Sequence, residues 1–281
     1  MSAQFLNING AHCLIDCGEG TQYQIKRFKV KASKIDYIFI SHLHGDHYFG
    51  LPGLLSSFNL LGRERPMHIF GPSALRDVLL SINKASKVIN SFPIYFTDTN
   101  PNRYETILET EFFSVHSFPL DHRIDCTGFL FKEAVGEHKL LADKLPEGFP
   151  YEYMRELKKG KPVKWQEKVF SPDDYTEPPA APKAFAYCSD TAYTESLLPF
   201  IENVNLLYHE ATFSKNDFER ALKTRHSTTL QAATIAQKAK ADKLLLGHFS
   251  IRYKSLEPLL TEAKSVFDNA YLAKEGGIFT I

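Results

Sequence analysis

The chain has 281 residues, of which 43% are hydrophobic and 23% charged, and its 33 lysines and arginines balance 33 aspartates and glutamates. That composition belongs to a globular protein with a substantial core; it excludes a disordered chain, a collagen-like fibre and a disulfide-stapled miniprotein. A formal net charge of zero excludes nucleic-acid binding through overall charge, so any such contact needs a local patch.

The first elements are two short apolar segments, Gln4–Ile8 and His12–Asp16, on either side of Asn9-Gly10. Asn-Gly between such segments predicts a hairpin, because both residues tolerate positive φ. After a break at Gly18-Glu19-Gly20, residues 21–29 read as a weak helix. Asp36–Ile40 (DYIFI) reads as a buried strand leading into Ser41-His42-Leu43-His44-Gly45-Asp46-His47. A helix over 51–61, a strand over 67–70 and a helix over 73–84 follow. Strand-like stretches fill 93–131: PIYFTD, TILET, FFSVHSF and CTGFLF. The section 142–183 breaks the rhythm with Pro, Lys, Glu and Tyr, and reads as an insertion with a short helix over 151–159. Regular alternation returns with strands over 184–188, 204–209 and 243–248, and helices over 217–223, 228–238 and 256–267. The pattern predicts an α/β chain in which sheets lie between helices, with polar clusters on loops at strand ends.

The four cysteines (Cys13, Cys17, Cys126, Cys188) form no CxxC pair, which points to a reducing compartment. The opening residues MSAQFLN carry neither a basic region nor an apolar run of a secretory signal, and no apolar stretch approaches the roughly 20 residues that span a bilayer. The expectation is a cytoplasmic protein with no membrane partner.

The run at 42–47 carries the chemistry. Three imidazoles and a carboxylate within six residues, in a chain with only 11 histidines, form a natural cage for a cation with nitrogen and hard oxygen donors. Distant residues must complete the coordination, and three polar side chains end strand-like segments: His122 after FFSVHSFPLD, Asp190 after FAYCS and His248 after KLLLG. Singly, these also read as a surface histidine, a helix N-cap and a strand-end cap; the recurrence of strand followed by ligand type groups them.

The HxHxDH run followed by His, Asp and His resembles the metallo-β-lactamase superfamily. The segments LIDCGEGTQYQI, ISHLHGDHYFGLPGLL, PLDHRIDCTGFLF, YCSDT, HEATF, HSTTLQAATIA and LGHFSIRY resemble ribonuclease Z across nearly the whole chain. The resemblance implies a metallo-β-lactamase fold: an αββα sandwich of two mixed sheets flanked by helices, forming one domain over 1–281 with a protruding arm inserted at about 142–183. It implies two zinc ions per subunit, one held by His42, His44 and His122, the other by Asp46, His47 and His248, with Asp190 bridging. His/Asp sites also accept Mn, Fe or Co. Asp46 is then placed to orient or deprotonate the attacking water, His226 matches the family's general acid, Glu210 its orienting partner, and Arg252 a phosphate receiver. Without the resemblance, His226 and Glu210 read as a helix-start residue and a surface carboxylate.

Ribonuclease Z removes 3′ trailers from tRNA precursors and grips the tRNA with its arm. Here residues 148–168 hold Arg155, Lys158, Lys159, Lys161, Lys164 and Lys168 against Glu152, Glu156 and Glu167. The expected partner is a tRNA precursor, and a homodimer is implied. Tyr151, Tyr153 and Trp165 are expected to pack the arm rather than stack on RNA. One departure stands out: family members begin with a further strand and a Gly-rich turn, so the first N-terminal strand is expected to be missing. Two other readings remain: another hydrolase of the same fold acting on a small phosphodiester, lactone or sulfate ester, or a non-catalytic, metal-stabilised RNA-binding protein.

Overall fold

The computed structural model describes residues 2–281. Gln4–Ile8 and Ala11–Ile15 form the expected hairpin, with Asn9 and Gly10 at φ 48° and 83°, the left-handed pair that a two-residue turn between twisted strands requires. This hairpin opens a five-stranded sheet that continues through Ile35–Phe39, Met67–Gly71 and Ile94–Asp98. From Ala11–Ile15 onward its strands are parallel. The second sheet has seven strands, in the order Ala270–Leu272, Leu244–Gly247, Leu206–Glu210, Ala184–Cys188, Thr127–Glu133, Phe113–Pro119 and Glu105–Glu109. Its first four are mutually parallel, and Ala184–Cys188 pairs antiparallel with Thr127–Glu133. Both sheets are therefore mixed.

Period-two alternation sorts the side chains into three layers. In Ile35–Phe39 and the residue after it, Phe39 enters the inter-sheet core while Ile38 and Ile40 face the outer layer. Leu206 and Tyr208 face inward, whereas Leu207 lies on the opposite face. Between the sheets, Phe39 and Phe70 stack with ring centroids 4.6 Å apart, and Phe129 and Phe131 of the seven-stranded sheet close on Phe39 at 5.4 and 5.2 Å. Outside the five-stranded sheet, Leu51, Leu54, Leu55 and Phe58 of the helix Gly50–Leu60 join Leu75 and Leu79 of the helix Ala74–Ser86. Outside the other sheet, the alanine-rich face of Thr229–Lys238 (Ala232, Ala233, Ala236) and Leu259 and Ala263 of Glu257–Lys264 are buried. The result is helix, sheet, sheet, helix: the αββα sandwich.

This layering positions the site. Parallel strands finish on one side of each sheet, and ligands in such folds collect beyond the carboxyl ends of those strands. The residues that follow Ile35–Phe39, Phe113–Pro119, Ala184–Cys188, Leu206–Glu210 and Leu244–Gly247 are those the sequence marks as polar clusters.

Residues Glu133–Lys183 form a second compact unit. It begins ahead of the composition break at Ala142, because Lys139–Leu140 pairs with Thr176–Glu177. Its own small core is Phe149, Leu157, Val163 and Phe170, with Tyr153, Trp165 and Tyr175 packed against it; Tyr151 is exposed. The helix Tyr151–Lys158 and a ribbon of Val163–Trp165 with Lys168–Phe170 complete it, the ribbon turning on Gln166 and Glu167 at positive φ.

Candidate metal centre

His42, His44, Asp46 and His47 lie just past the strand Ile35–Phe39, and the start of the short helix Gly45–Tyr48 turns Asp46 and His47 back toward the strand ends. His122, Asp190 and His248 arrive from three other strand ends. Their donor atoms form two groups, His42/His44/His122/Asp190 and Asp46/His47/His248, with a third combination of Asp190, His226 and His248 beside them. The structure thus gathers all seven residues singled out as ligands, and His226 with them.

Hydrogen bonding fixes which ring nitrogen is available. His122 Nδ1 donates to the Arg225 carbonyl oxygen at 2.8 Å and His47 Nδ1 to Asp16 Oδ2 at 2.7 Å; neither acceptor can donate. The Thr212 hydroxyl donates to Glu210 Oε2 at 2.8 Å, so it accepts from His248 Nδ1 at 2.9 Å. By the same reasoning the Ser41 hydroxyl, donating to Asp16 Oδ2 at 3.0 Å, accepts from His42 Nδ1 at 3.0 Å. Four imidazoles therefore turn Nε2 inward, the nitrogen a bound ion would take, and outer hydrogen bonds of this kind orient metal-binding histidines. His44 turns the other nitrogen in: its Nδ1 lies 3.0 Å from His42 Nε2 and 3.2 Å from His122 Nε2.

Asp190 joins the groups. Its Oδ2 lies 3.6 Å from His42 Nε2 and 3.8 Å from His122 Nε2, and its Oδ1 lies 3.4 Å from both His47 Nε2 and His248 Nε2. Oδ1 is buried without a hydrogen-bond partner. Donors about 2.0–2.1 Å from a shared tetrahedral ion sit about 3.3 Å apart, so these separations, and the orphaned oxygen, fit divalent-metal binding at Asp190 and the imidazoles around it. His248 Nε2 also lies 3.3 Å from Asp46 Oδ2. The donor set, imidazole and carboxylate without thiolate, suits zinc and its first-row neighbours.

Charge follows the same division. Burial, with the neighbouring His47 charge, pushes His42 down to about 3, so it stays neutral. Burial opposes protonation of His47 too, but the Asp16 carboxylate that accepts its Nδ1–H and the nearby Asp190 carboxylate outweigh this and lift it to about 10. Asp190 is buried, yet His248, His47 and His42 hold it well below the usual carboxylate range. The His248 hydrogen bond does the same for Asp46.

Glu210, the last residue of Leu206–Glu210, is fully buried and accepts from the backbone amides of Thr191, Thr212 and Ser227 as well as the Thr212 hydroxyl. Its Oε1 also receives His226 Nδ1 at 2.9 Å, and that nitrogen lies 4.0 Å from Asp190 Oδ2. His226 sits just before the helix Thr229–Lys238, whose capping box at Thr228 and Gln231 fixes where the helix begins. Arg252 stacks over Phe213 at 5.3 Å and pairs with Asp217 at 3.3 Å; Phe213 in turn lies 6.1 Å from the His226 ring. In the second unit, Lys158 pairs with Glu137, Lys159 and Lys161 with Glu156, and Lys164 with Glu167.

Sequence reasoning missed Asp16. It is fully buried at φ 56°, and besides His47 it binds the Tyr187 hydroxyl at 2.7 Å and the Ser41 amide at 2.8 Å. The available signal was a carboxylate closing the apolar strand of LIDCGEG, the same strand-then-ligand pattern that marked Asp190.

Residues 1–140 match the family described as anti-Pycsar protein Apyc1, a match that stops short of Asp190, Glu210, His226 and His248. Ribonuclease Z of Parabacteroides distasonis is 41% identical over 277 residues, covering 98% of this chain and 91% of that protein. Ribonuclease Z of Cytophaga hutchinsonii is 44% identical over 282 residues, covering 100% and 90%. The crystal structure of human tRNase Z, short form, aligns with a TM-score of 0.70 at 26% identity, over 100% of this chain and 92% of that one. The metallo-β-lactamase fold protein YhfI of Bacillus subtilis aligns at 0.66 with 22% identity, over 98% and 90%. Sandwich and strand-end cluster together define a protein of the metallo-β-lactamase fold. Similarity to the bacterial relatives extends over nearly the full length, arm included. The chain belongs to the ribonuclease Z family.

Proposed function

We propose that this protein is a zinc-dependent hydrolase, an endoribonuclease that removes 3′ trailers from tRNA precursors. The observation that carries the reading is the His226–Glu210 pair standing beside a carboxylate, Asp190, shared between two donor groups. His42, His44 and His122 would hold one ion, Asp46, His47 and His248 the other, and Asp190 both. Such a pair, when bound, supplies Lewis-acid activation of water near neutral pH and neutralises charge on a phosphodiester.

The chain's own groups do the rest. Asp46, half-exposed at the rim, orients or deprotonates the attacking water. Water oxygen bonds to phosphorus as the P–O3′ bond breaks. His226, with Nδ1 committed to Glu210, delivers a proton from Nε2 to the departing O3′. The products are a 3′-hydroxyl on the tRNA and a 5′-phosphate on the trailer. Arg252 receives a flanking phosphate once it releases Asp217. Lys158, Lys159, Lys161 and Lys164 grip the RNA backbone; their present partners are exposed carboxylates, and exposed ion pairs of this kind are worth about 0–1 kcal/mol, so a phosphate displaces them readily.

A homodimer accords with exposed Leu60, Leu61 and Ile89, which lie together where Asn59 Nδ2 binds the Ile89 carbonyl. A cytoplasmic setting accords with four buried, unpaired cysteines and with a tRNA substrate; among the described residues no helix is long and apolar enough to cross a membrane.

The test is an assay of purified protein on a 3′-extended tRNA precursor, with and without chelator, with the new ends mapped. Chelator-sensitive cleavage giving a 3′-hydroxyl and a 5′-phosphate supports the reading. A 2′,3′-cyclic phosphate, or turnover of small esters alone, overturns it.

A further inference from the structure

Beyond the ligand groups, the rim holds a cavity of about 500 Å³. Its walls are apolar: Leu43, Pro72, Ala74, Pro101 and Ile124. Its polar groups are the hydroxyls of Ser41, Ser73, Thr99 and Thr127 and the carboxylate of Asp125; the Ser41 hydroxyl is committed to Asp16 and that of Thr127 to Thr99 at 3.4 Å. The Ser73 side chain makes no capping bond to the helix that follows it. Asp125 is exposed and, among the described residues, takes part in no ion pair or hydrogen bond. A few convergent polar groups in a mainly apolar hollow of this size are the usual composition of a small-molecule or base pocket.

Its position ties it to the reaction. Leu43 lies between His42 and His44 in the chain, and Ile124 and Asp125 follow His122 by two and three residues. Pro72 and Thr99 follow the strands Met67–Gly71 and Ile94–Asp98, so the cavity opens from the same rim of strand ends as the His42/His44/His122 group. A single-stranded RNA with one phosphodiester at that group carries a nucleotide on each side of it, and recognition of unpaired bases uses flat apolar contact plus hydrogen bonds at the Watson–Crick edge.

We infer that this cavity seats the nucleobase flanking the scissile phosphate, with Asp125 as the residue that determines which base is preferred; the inference rests on the proposed function. A carboxylate only accepts hydrogen bonds. Guanine offers two adjacent N–H donors, at N1 and N2, that match its two oxygens. Uracil offers one N–H between two carbonyls that the carboxylate repels. The preferred base is therefore guanine and the poorest is uracil.

The experiment uses the full-length protein and two sets of four tRNA precursors, one varied at the last base before the cleavage point and the other at the first base after it. In one set, kcat/KM for guanine is expected to exceed that for uracil at least fivefold. Asp125→Asn should bring the ratio below twofold, and Ile124→Ala should lower kcat/KM in that set through KM. Both residues are exposed, so folding is not at stake. Equal rates for all four bases in both sets, or a guanine preference that survives Asp125→Asn, overturns the inference. Failure of the wild type to cleave any precursor would instead contradict the function on which it rests.

Discussion

At the scale of single residues, the centre is defined by which nitrogen each imidazole turns inward. Asp16 holds His47 and, with the metal absent, keeps it charged. The sign follows: a histidine raised from 6.5 to about 10 contributes stability that is fully present below pH 6.5 and is lost as pH rises through 10. Chelated protein should therefore show a falling Tm between pH 7 and 9, while metal-saturated protein, with His47 neutral and coordinated, stays flatter; equal slopes would refute a charged His47. His226→Ala should lower kcat on a tRNA precursor by about 10²–10⁴-fold with metal content unchanged, and loss of metal with the histidine would make it a ligand instead of an acid. The ligand types were legible in sequence because HxHxDH concentrates four donors in one loop. Asp16 was not, because a lone carboxylate after a strand also reads as a turn residue, and its partner Tyr187 lies far along the chain.

At the scale of elements, the glycines that join LIDCGEG to HGDHYFG matter most. A Cβ on Gly50 would stand 2.1 Å from the Gly18 carbonyl oxygen, and one on Gly18 would stand 2.2 Å from that of Asp46. These are backbone atoms, held by Cys17 N donating to the His47 carbonyl at 2.7 Å and Gly50 N to that of Cys17 at 2.9 Å. Gly50→Ala should cost about 1–3 kcal/mol, the range for overpacking, with weaker metal binding because Asp46 and His47 shift. A chemical denaturation curve like the wild type's would show that the segments can separate freely. Most elements were readable from periodicity: Ala184–Cys188 has the expected bounds, and the Asn9-Gly10 turn forms as predicted. Ala270–Leu272 escaped because three residues carry no period, and it becomes a strand only by pairing with Leu244–Gly247. The helix expected over 256–267 ends at Lys264, where the chain leaves through a tight turn.

At the scale of the whole molecule, pairing across the sheet decides the topology, and local sequence cannot reveal it. Thr127–Glu133 and Ala184–Cys188 are separated by the entire second unit, yet Lys132 and Ala184 are direct partners. A short turn joining those two residues should therefore replace 133–183 without unfolding the sandwich. That variant is expected to hydrolyse a small chromogenic phosphodiester and to lose tRNA-precursor processing; retained processing would show that the lysines of the second unit do not grip RNA. The sequence reading of a basic segment applies to 148–168, whereas the unit as a whole has nine basic and ten acidic residues, so the proposed grip on RNA rests on how its lysines are presented rather than on its sum. What unites strand ends from both sheets is one carboxylate, Asp190, and the most direct test is the zinc stoichiometry of the chelated and reconstituted protein. Calorimetric titration should find two ions per chain in the wild type and fewer than two after Asp190→Ala, whereas a wild type that binds no ion, or an Asp190→Ala variant that binds two with undiminished affinity, would contradict the shared centre.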